Sequence, residues 1–285
     1  MPNYFLVLFI LTSINYIFNP NFGLYKIKKY LYFSQNLNNI HPSFFPEAWS
    51  LSVEEWFYLI IPILILLFTV WIKLSIKKSV LLVAVSVIVL VTYHRFYRYF
   101  NMDINNYSAW DSILRKQVFT QLDSLMYGVL GAYLSIYYKK YWLKNNKMLL
   151  ILGIVIFFTL QYFRVNSFIK VELFYCVFYF SIISLATLCL LPFLSNYKTG
   201  KGIVFNAITY LSLISYSIYL WHYSIIRNWI FENMKVPTIG GTEILKYFLF
   251  WLTTILISIL VYKYFELPLM KLRNKRFKKL RLINF

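Results

Sequence analysis

Two adjacent carboxylates, Glu54 and Glu55, open an almost unbroken apolar run in the segment Trp49–Pro62. An acidic side chain at the centre of a membrane helix costs about 3 kcal/mol, so it is found there when it caps a helix, pairs with a cation or takes part in chemistry. A carboxylate beside a binding site can act as a general base or can orient one. The position of the pair therefore makes Glu54 and Glu55 candidate catalytic residues.

An imidazole and two hydroxyls form a second group of residues that could do chemistry. Ser215, Tyr219 and His222 are spaced i, i+4 and i+7, so a helix places them on one face. Asp123 stands near the start of another apolar run. An imidazole held by a carboxylate is a natural general base. His222 is therefore a candidate base, and Glu54 and Asp123 are candidates to orient it.

The acidic pair also has a structural interpretation. Ser52 and Glu55 stand in the Ser-x-x-Glu relation of a capping box just before an apolar run, which alone would explain both residues. Glu54 would then lie in the first helical turn, where the helix dipole stabilises a carboxylate by roughly 0.3–1 kcal/mol. Both interpretations stay open at the level of sequence.

Asp123 and His222 have structural interpretations too. The dipole at a helix start would stabilise Asp123, with Arg115 or Lys116 as its ion-pair partner. His222 follows Trp221 and fits an aromatic belt at a membrane interface, although a histidine within a span more often faces the protein interior and has a function. The other two histidines, which we expect to be solvated or interfacial, are His41 and His94.

Composition assigns the chain to a class. Of its 285 residues, 60% are hydrophobic and 14% are charged, which exceeds what a soluble domain tolerates. The sequence therefore predicts an integral membrane protein, an all-α polytopic bundle of about eight transmembrane helices. The first span is short and contains Asn15. The predicted spans are Tyr4–Phe18, Glu55–Ile72, Val80–Tyr93, Val118–Tyr138, Met148–Phe163, Glu172–Leu194, Asn206–Trp229 and Leu245–Phe265.

Basic residues outnumber acidic ones, 29 to 10, but their distribution argues against binding to nucleic acid. Alternate loops, which continue into the tail 271–285, contain basic residues and no acid, whereas the opposite loops, in which we place Arg95 and Arg98, contain most of the acids. By the positive-inside rule the purely basic set is cytoplasmic, and so are both termini. The basic tail is predicted to be attracted to anionic lipid.

The sequence shows no internal repeat, no separate soluble domain and no metal-ligand spacing. We therefore predict a single integral membrane domain over residues 1–285, with no metal and no bound cofactor. Cys176 and Cys189 fall in one predicted span and are interpreted as small buried hydrophobic residues. Oligomeric state is not predicted by these features.

Four segments carry a resemblance to a known family. They are WSLSVEEWFYLIIP (49–62), TQLDSLMYGVLGAYL (120–134), ISYSIYLWH (214–222) and FELP (265–268), in this order. Together they resemble the acyltransferase family 3 membrane proteins, the O-acetyltransferase type that modifies polysaccharides. Gln121 stands where the family usually has an arginine.

The resemblance implies a function. It implies a bundle of about ten helices in a bacterial plasma membrane. It also implies transfer of an acyl group from a cytoplasmic donor, typically acetyl-CoA, to a hydroxyl of an extracytoplasmic glycan. Acyl-CoA would be a co-substrate, and the glycan the acceptor. Trp49 and Trp56 flank the acidic pair and could stack on a sugar. The residues that we expect to bind substrate are Trp49, Ser52, Trp56, Ser215, Tyr219, Trp221 and Glu266.

Glu266 is singled out by its position at the end of the last predicted span, which Pro268 helps to terminate. A carboxylate at a helix C-terminus opposes the helix dipole. We therefore expect Glu266 to have a cationic partner, and the resemblance places that partner in a segment that this chain does not contain.

The resemblance also implies a missing module. The family's first two helices bring a basic residue, the histidine expected to be catalytic and an Arg-x-x-Arg pair, and Met1–Tyr4 resembles the sequence after that pair. We therefore expect the chain to be N-terminally incomplete relative to the family, because the start codon is assigned too late, because the sequence is a fragment, or because the gene is degenerate. We expect this chain alone to bind acceptor at most.

Two functions of other classes stay open. One is a transporter or flippase for polysaccharide precursors, which predicts inverted repeats and helices broken in mid-span; the sequence shows neither. The other is a non-enzymatic accessory subunit.

Overall fold

The computed structural model describes residues 2–19, 23–167, 172–196, 200–233 and 243–273. Over these ranges the chain is helical and has no strand, which confirms the all-α prediction. Residues 274–285, most of the predicted basic tail, lie outside them. In chain order the principal helices are α1 (Pro2–Phe18), α2 (Ala48–Val70), α3 (Ile76–Asn101), α4 (Leu122–Tyr137), α5 (Asn146–Ser167), α6 (Tyr179–Leu194), α7 (Ile203–Trp221) and α8 (Glu243–Val261).

Short helices and π-helical segments connect or extend these elements. π-helices precede α6 and follow α7 and α8, and one stands alone between α3 and α4. The π-helices are Asp111–Arg115, Phe174–Phe178, His222–Asn233 and Tyr262–Glu266, and the short helices are Leu24–Ile27, Lys28–Leu31, Tyr107–Trp110 and Lys139–Lys144.

Six helices of the described chain are long and apolar enough to cross a membrane, so the protein is a polytopic membrane protein. They are α2, α3, α5, and α6, α7 and α8 with their π-helical extensions. Of the other two predicted spans, α1 has 17 residues and α4 has 16. At 1.5 Å per residue each is about 25 Å long, several Å less than the hydrocarbon core of a typical bilayer.

The start of α2 corrects one interpretation of the acidic pair. α2 begins at Ala48 rather than at Glu55, so Ser52 and Glu55 lie inside the helix and cannot form a capping box. Glu54 lies beyond the first turn and outside the reach of the dipole argument. Its presence needs another reason.

The end of α3 corrects the loop assignment of two arginines. α3 continues to Asn101, whereas the predicted span ends at Tyr93. Arg95 and Arg98 therefore lie on the helix and not in a loop, and both are buried. The hydropathy pattern ends the span too early because two charged residues lower the local average, although the terminal nitrogens of both guanidinium groups have hydrogen-bond partners within the second unit.

The described helices divide into two compact units, and the single domain over 1–285 stays a prediction. The first unit contains α1, residues 43–48, α7, the π-helix after it and α8. In this unit α7 packs against α8 and α1. α1 buries Tyr4, Val7, Leu8 and Leu11, a stripe at helical spacing that covers one face.

The second unit contains residues 29–42 and the helices α2 to α6. α5 packs closely along α6, α4 packs against α3, and α4 also contacts α6. A Cβ atom at Gly153 of α5 would lie 2.7 Å from the Ala186 carbonyl oxygen of α6, so this crossing requires glycine. The valines and other apolar side chains of α2, α3 and the start of α4 form one core cluster, which fixes the position of Asp123.

Candidate active site

The π-helix His222–Asn233 continues α7 for 12 residues and is the element around which the candidate site is built. π-helices are rare, are mostly single turns, and occur frequently at functional sites. Their i→i+5 hydrogen bonds place residues about five apart on the same side of the helix. Two cavities of the first unit are lined by successive residues of this segment.

His222 is held in the tautomer of a base. Its Nδ1 atom lies 2.8 Å from the carbonyl oxygen of Tyr219 and 3.2 Å from that of Ile218. A carbonyl oxygen only accepts hydrogen bonds, so the proton of the neutral imidazole is on Nδ1 and the lone pair is on Nε2. Backbone carbonyls thus orient the ring at Nδ1, and the expectation that Glu54 or Asp123 orients it stays a prediction.

The first cavity, which we call the histidine cavity, has a volume of about 750 Å³ and is lined by His222. Two cations, Arg227 and Lys246, also line it. The guanidinium of Arg227 lies over the Tyr223 ring, 5.1 Å from its centroid, and its Nε is 3.1 Å from Glu232 Oε1. The cavity therefore combines a base, positive charge and aromatic walls. Its other lining residues are Phe231, Ile244, Tyr247 and Phe250.

The second cavity, which we call the polar cavity, has a volume of about 600 Å³ and is lined mainly by hydroxyl and amide groups. The π-helix contributes Ser224, Asn228 and Trp229, and α1 contributes Asn15 and Asn19. Glu232, in the last turn of the π-helix, borders both cavities. Both cavities therefore adjoin the C-terminal end of the π-helix.

A buried carboxylate, Glu47, ties the segment before α2 to the π-helix. The backbone N–H of Ser224 donates to Glu47 Oε1 at 2.7 Å, and the Ser224 hydroxyl donates to Oε2. The Tyr219 hydroxyl donates to the Glu47 carbonyl oxygen at 2.8 Å. Burial raises the pKa of Glu47, and the hydrogen bonds from Ser224 act in the opposite direction. Sequence analysis missed Glu47, although it precedes the acidic motif by only a few residues.

A hydrogen-bonded chain connects α1, α7 and the end of α8. Asn3 donates to the Ser217 hydroxyl oxygen at 3.0 Å, and Ser217 donates to Glu266 Oε2 at 2.8 Å. Trp221 Nε1 donates to Asn3 Oδ1 at 3.0 Å. Among the described residues Glu266 thus has a hydroxyl partner where we expected a cation. Ser217 is buried, whereas Ser215, the serine chosen from the spacing, is exposed and bonds to the Ser212 carbonyl.

Glu54 of the second unit lines a smaller cavity, of about 330 Å³. The Tyr58 hydroxyl donates to Glu54 Oε1 at 2.9 Å, and Trp49 and Gln121 line the same cavity. Glu55 is half-buried and does not line it. The cavity offers one carboxylate and an aromatic wall to a ligand.

Two other expected binding residues have structural partners in the same unit. Ser52 is buried and its hydroxyl accepts from the Gln35 amide. Trp56 Nε1 donates to the Phe33 carbonyl at 2.9 Å. Both contacts attach α2 to the preceding residues 29–42.

Asp123 is the centre of a buried ion pair. Arg95 meets it in a bidentate arrangement, with Nη2 at 2.5 Å from Oδ2 and Nη1 at 3.3 Å from Oδ1, and both side chains are fully buried. Ser181 donates to Oδ2 at 3.1 Å. The expectation that Arg115 or Lys116 pairs with Asp123 is wrong. Those two cations bind Asp111 instead.

His41 is buried rather than solvated, which corrects another expectation. Its ring meets Tyr30 edge-on at a centroid distance of 6.2 Å. Burial and the nearby charge of Lys116 lower the pKa of His41 to about 4. The imidazole is therefore neutral at physiological pH.

Comparison with known proteins decides the family. A family model described as an acyltransferase domain matches residues 2–263. The chain belongs to this family, acyltransferase family 3. The match confirms the assignment made from the four sequence segments.

Relatives in Staphylococcus aureus are named in the same sense. Proteins of strains COL, MW2 and N315, each named "Putative O-acetyltransferase", are 24% identical to this chain over 262 residues, which is 87% of this chain and 40% of each relative. The chain thus spans about two fifths of their length. No solved structure matches.

The four family segments of this chain map onto the two units. The segments at 49–62 and 120–134 form the parts of α2 and α4 that line the Glu54 cavity, and Gln121, at the family's arginine position, faces that cavity. The segment at 214–222 ends at His222. Glu54 and Asp123 belong to the second unit and His222 to the first, so their convergence in one pocket stays a prediction.

Proposed function

We propose that the protein acts as an O-acyltransferase that moves an acyl group, acetyl in the simplest case, from acyl-CoA to a hydroxyl of an extracytoplasmic glycan. The proposal replaces the expectation that the chain alone binds acceptor at most, because His222 here takes the role that the resemblance gives to a histidine of the family's first two helices. The single observation that carries this proposal is the histidine cavity, in which a tautomer-fixed imidazole lies among cations and aromatic rings. Family membership supports the reaction type. The acceptor, the donor and the orientation are inferred.

The proposed chemistry assigns His222 as general base. The acceptor hydroxyl gives its proton to Nε2 as its oxygen forms an ester bond with the acyl carbon, and the bond from that carbon to the CoA sulfur breaks. The departing thiolate then takes up the proton. General-base catalysis of this kind contributes typically 10²–10⁴-fold to a rate.

Positive charge in the histidine cavity supports the same step. Attack on the thioester builds negative charge on the carbonyl oxygen, which nearby cations stabilise. Arg227 is fixed by Glu232 and by the ring of Tyr223, whereas Lys246 lines the cavity from α8. We assign Arg227 and Lys246 to binding of the developing oxyanion or of an anionic group on a substrate.

Glu54 is assigned to substrate binding in the second unit. Its carboxylate and the Trp49 ring line one cavity, which fits a hydroxyl-bearing ligand. If this assignment holds, Glu54→Gln raises the acceptor KM, while Glu55→Gln, on a residue that does not line the cavity, has a smaller effect. Equal effects of both changes would remove the assignment.

The charge pattern predicts that the loop before α2 and the π-helix are extracytoplasmic and that both termini are cytoplasmic. Reporter fusions after residues 45 and 233 should therefore report an external location. A cytoplasmic signal at either point would contradict the proposed approach of the glycan from outside.

The deciding experiment measures transfer of labelled acetyl from acetyl-CoA to surface glycan in membranes with and without the expressed protein. We expect His222→Ala and His222→Gln to lose transfer, and His94→Gln, on a histidine that lines none of the three cavities, to retain it. Glycan export is measured in parallel. Loss of export with unchanged acetylation would support a transporter instead.

A further inference from the structure

The polar cavity has properties that the acyl-transfer step does not use. It lies between α1, the segment at Ser43 and the π-helix, and its volume of about 600 Å³ falls within the range of roughly 300–1,000 Å³ typical of small-molecule sites. Its walls contain hydroxyls, amides, Phe and Trp rings, the Leu11 side chain and the Glu232 carboxylate. A fatty acyl chain or other apolar ligand would leave these polar groups without partners, which is costly.

The hydrogen-bonding capacity of the walls matches a neutral, hydroxyl-rich ligand. Because the Ser224 hydroxyl donates to Glu47, its oxygen presents lone pairs as an acceptor. Asn19 donates to Asn15 Oδ1 at 3.3 Å, which orients one edge of the amide pair. Asn228 carries both a donor and an acceptor group and is half-buried at the wall. Alternating donors and acceptors are what sugar hydroxyls require.

Trp229 supplies an apolar platform at the same wall. Its ring lies 5.6 Å from that of Phe18 and is half-buried, so one part of the indole is packed and another part lines the cavity. The C–H face of a pyranose can pack on an indole while its hydroxyls bond to the surrounding amides. A platform beside neutral polar groups is therefore suited to one sugar ring.

Charge distinguishes the polar cavity from the histidine cavity. Arg227 and Lys246 line the histidine cavity, whereas among the described residues that line the polar cavity the one charged side chain is Glu232, which is paired with Arg227. An acidic sugar would meet this carboxylate, and none of those described lining residues is a cation. A neutral sugar is not repelled by this carboxylate.

We propose that the polar cavity is a saccharide subsite that binds a neutral pyranose of the acceptor, next to the unit that receives the acyl group in the histidine cavity. The common border at Glu232 lets one chain occupy both cavities. The acceptor is then an oligosaccharide segment rather than a single sugar. The position of the subsite next to the site of acyl transfer rests on the proposed function, whereas the subsite itself is argued from the polar cavity alone.

The test measures binding of defined oligosaccharides to the full chain purified in detergent, by microscale thermophoresis. The probes are the neutral disaccharide of N-acetylglucosamine, maltose and, as an acidic comparison, digalacturonate. We expect at least one neutral probe to bind and Trp229→Ala and Asn228→Ala each to weaken it about tenfold, the effect of losing one good contact. Digalacturonate should bind more weakly than the neutral probe.

Matched controls are Trp71→Ala and Asn206→Ala, which change exposed side chains that do not line the cavity. Both should leave the affinity within about twofold. The subsite would be overturned if neither neutral probe binds, if control and cavity variants have equal effects, or if the acidic probe binds more tightly than the neutral ones.

Transfer kinetics separate the two proposals. Trp229→Ala and Asn228→Ala should raise the KM for acceptor with a smaller change in kcat, whereas His222→Gln should lower kcat. If His222→Gln leaves transfer intact while the cavity variants lose binding, the assigned base is wrong and the subsite stands. If transfer depends on His222 while the cavity variants bind normally, the subsite is wrong and the proposed reaction stands.

Discussion

Each unit of this protein buries a carboxylate, and the two are satisfied in different ways. Asp123 of the second unit is met by the Arg95 guanidinium and by a serine hydroxyl, and both charged side chains are fully buried. Glu47 of the first unit is met by the hydroxyl and backbone N–H of Ser224, which itself lines a cavity. Asp123 lines none of the three cavities.

The difference teaches where chemistry is possible. A buried carboxylate in a bidentate ion pair has its lone pairs committed to one partner, and breaking that pair leaves an uncompensated charge. A carboxylate bonded to a hydroxyl and an amide beside a cavity can change its protonation at smaller cost. We therefore propose that Asp123 positions α3, α4 and α6, and that Glu47 positions the π-helix that lines both cavities.

The largest effect should come from breaking the ion pair. Arg95→Met and Asp123→Leu should each destabilise the protein by about 3–5 kcal/mol, because each leaves one buried charge without its partner. The double variant should recover much of the loss. Thermal unfolding in detergent, monitored by size-exclusion chromatography, measures the stability of the single variants and of the double variant.

The half-exposed pair of Arg115 with Asp111 provides the control. Arg115→Met should cost no more than about 1 kcal/mol, because solvent screens such pairs. A double variant no more stable than either single variant would show that the pair is not the source of the stability.

The next effect should be on catalysis. His222→Gln should lower the rate of transfer by about 100-fold or more, since a general base contributes at least that much, while the melting temperature stays close to that of the wild type. The readouts are kcat and thermal unfolding on the same preparation. A fully active His222→Gln protein would leave the histidine cavity without its assigned role.

A smaller effect should follow from changes at Glu47. Glu47→Ala leaves the Ser224 N–H and hydroxyl without their acceptor and should cost about 1–3 kcal/mol. Glu47→Gln keeps one acceptor oxygen and should cost less. Both variants should weaken binding of the neutral probe that the wild type binds, and Glu47→Ala should bind it less tightly than Glu47→Gln.

The raised pKa of Glu47 adds a pH dependence to this prediction. Because the folded state holds the proton more tightly than the unfolded state, stability should fall as the pH rises from the unfolded value through the folded pKa. Glu47→Gln cannot ionise and should lack this part of the profile. Identical profiles for wild type and Glu47→Gln would contradict the burial argument.

The smallest effect concerns His41. Its pKa of about 4 lies below the ordinary value, so the unfolded state binds more protons between about pH 4 and 6.5, and stability should fall as the pH drops through that window. We expect a loss of about 2 kcal/mol, after a discount for the remaining exposure of the ring. His41→Phe should flatten the profile. A wild-type profile that is flat between pH 6.5 and 4 would show that His41 is not held neutral.

Much of the architecture follows from the sequence because its cause is local. Apolar length predicts a membrane helix directly, so composition and hydropathy predicted an all-α membrane protein, and four segments predicted the family. The spans predicted at 80–93 and 148–163 correspond to α3 and α5, with ends that differ by two to eight residues. The errors occur where a charged residue continues a helix, as at Arg95, because hydropathy cannot register a partner far along the chain.

Partner choice was decided by the tertiary structure. The sequence offered Arg115 and Lys116 to Asp123 because they are near in sequence, but packing of α3 against α4 gave it Arg95. The role of Glu47 was likewise invisible, since its partner Ser224 lies 177 positions away.

The sequence by itself therefore determined the class of protein, its family and the candidacy of His222, because these depend on residue types and short spacings. Only the tertiary structure decided which carboxylate is paired with a cation and which is bonded to a serine that lines a cavity. It also decided that His222, the first residue of the π-helix, is oriented by backbone carbonyls of the last turn of α7. The physical reason is that hydrogen bonds and ion pairs act over a few ångströms in space, whatever the distance along the chain.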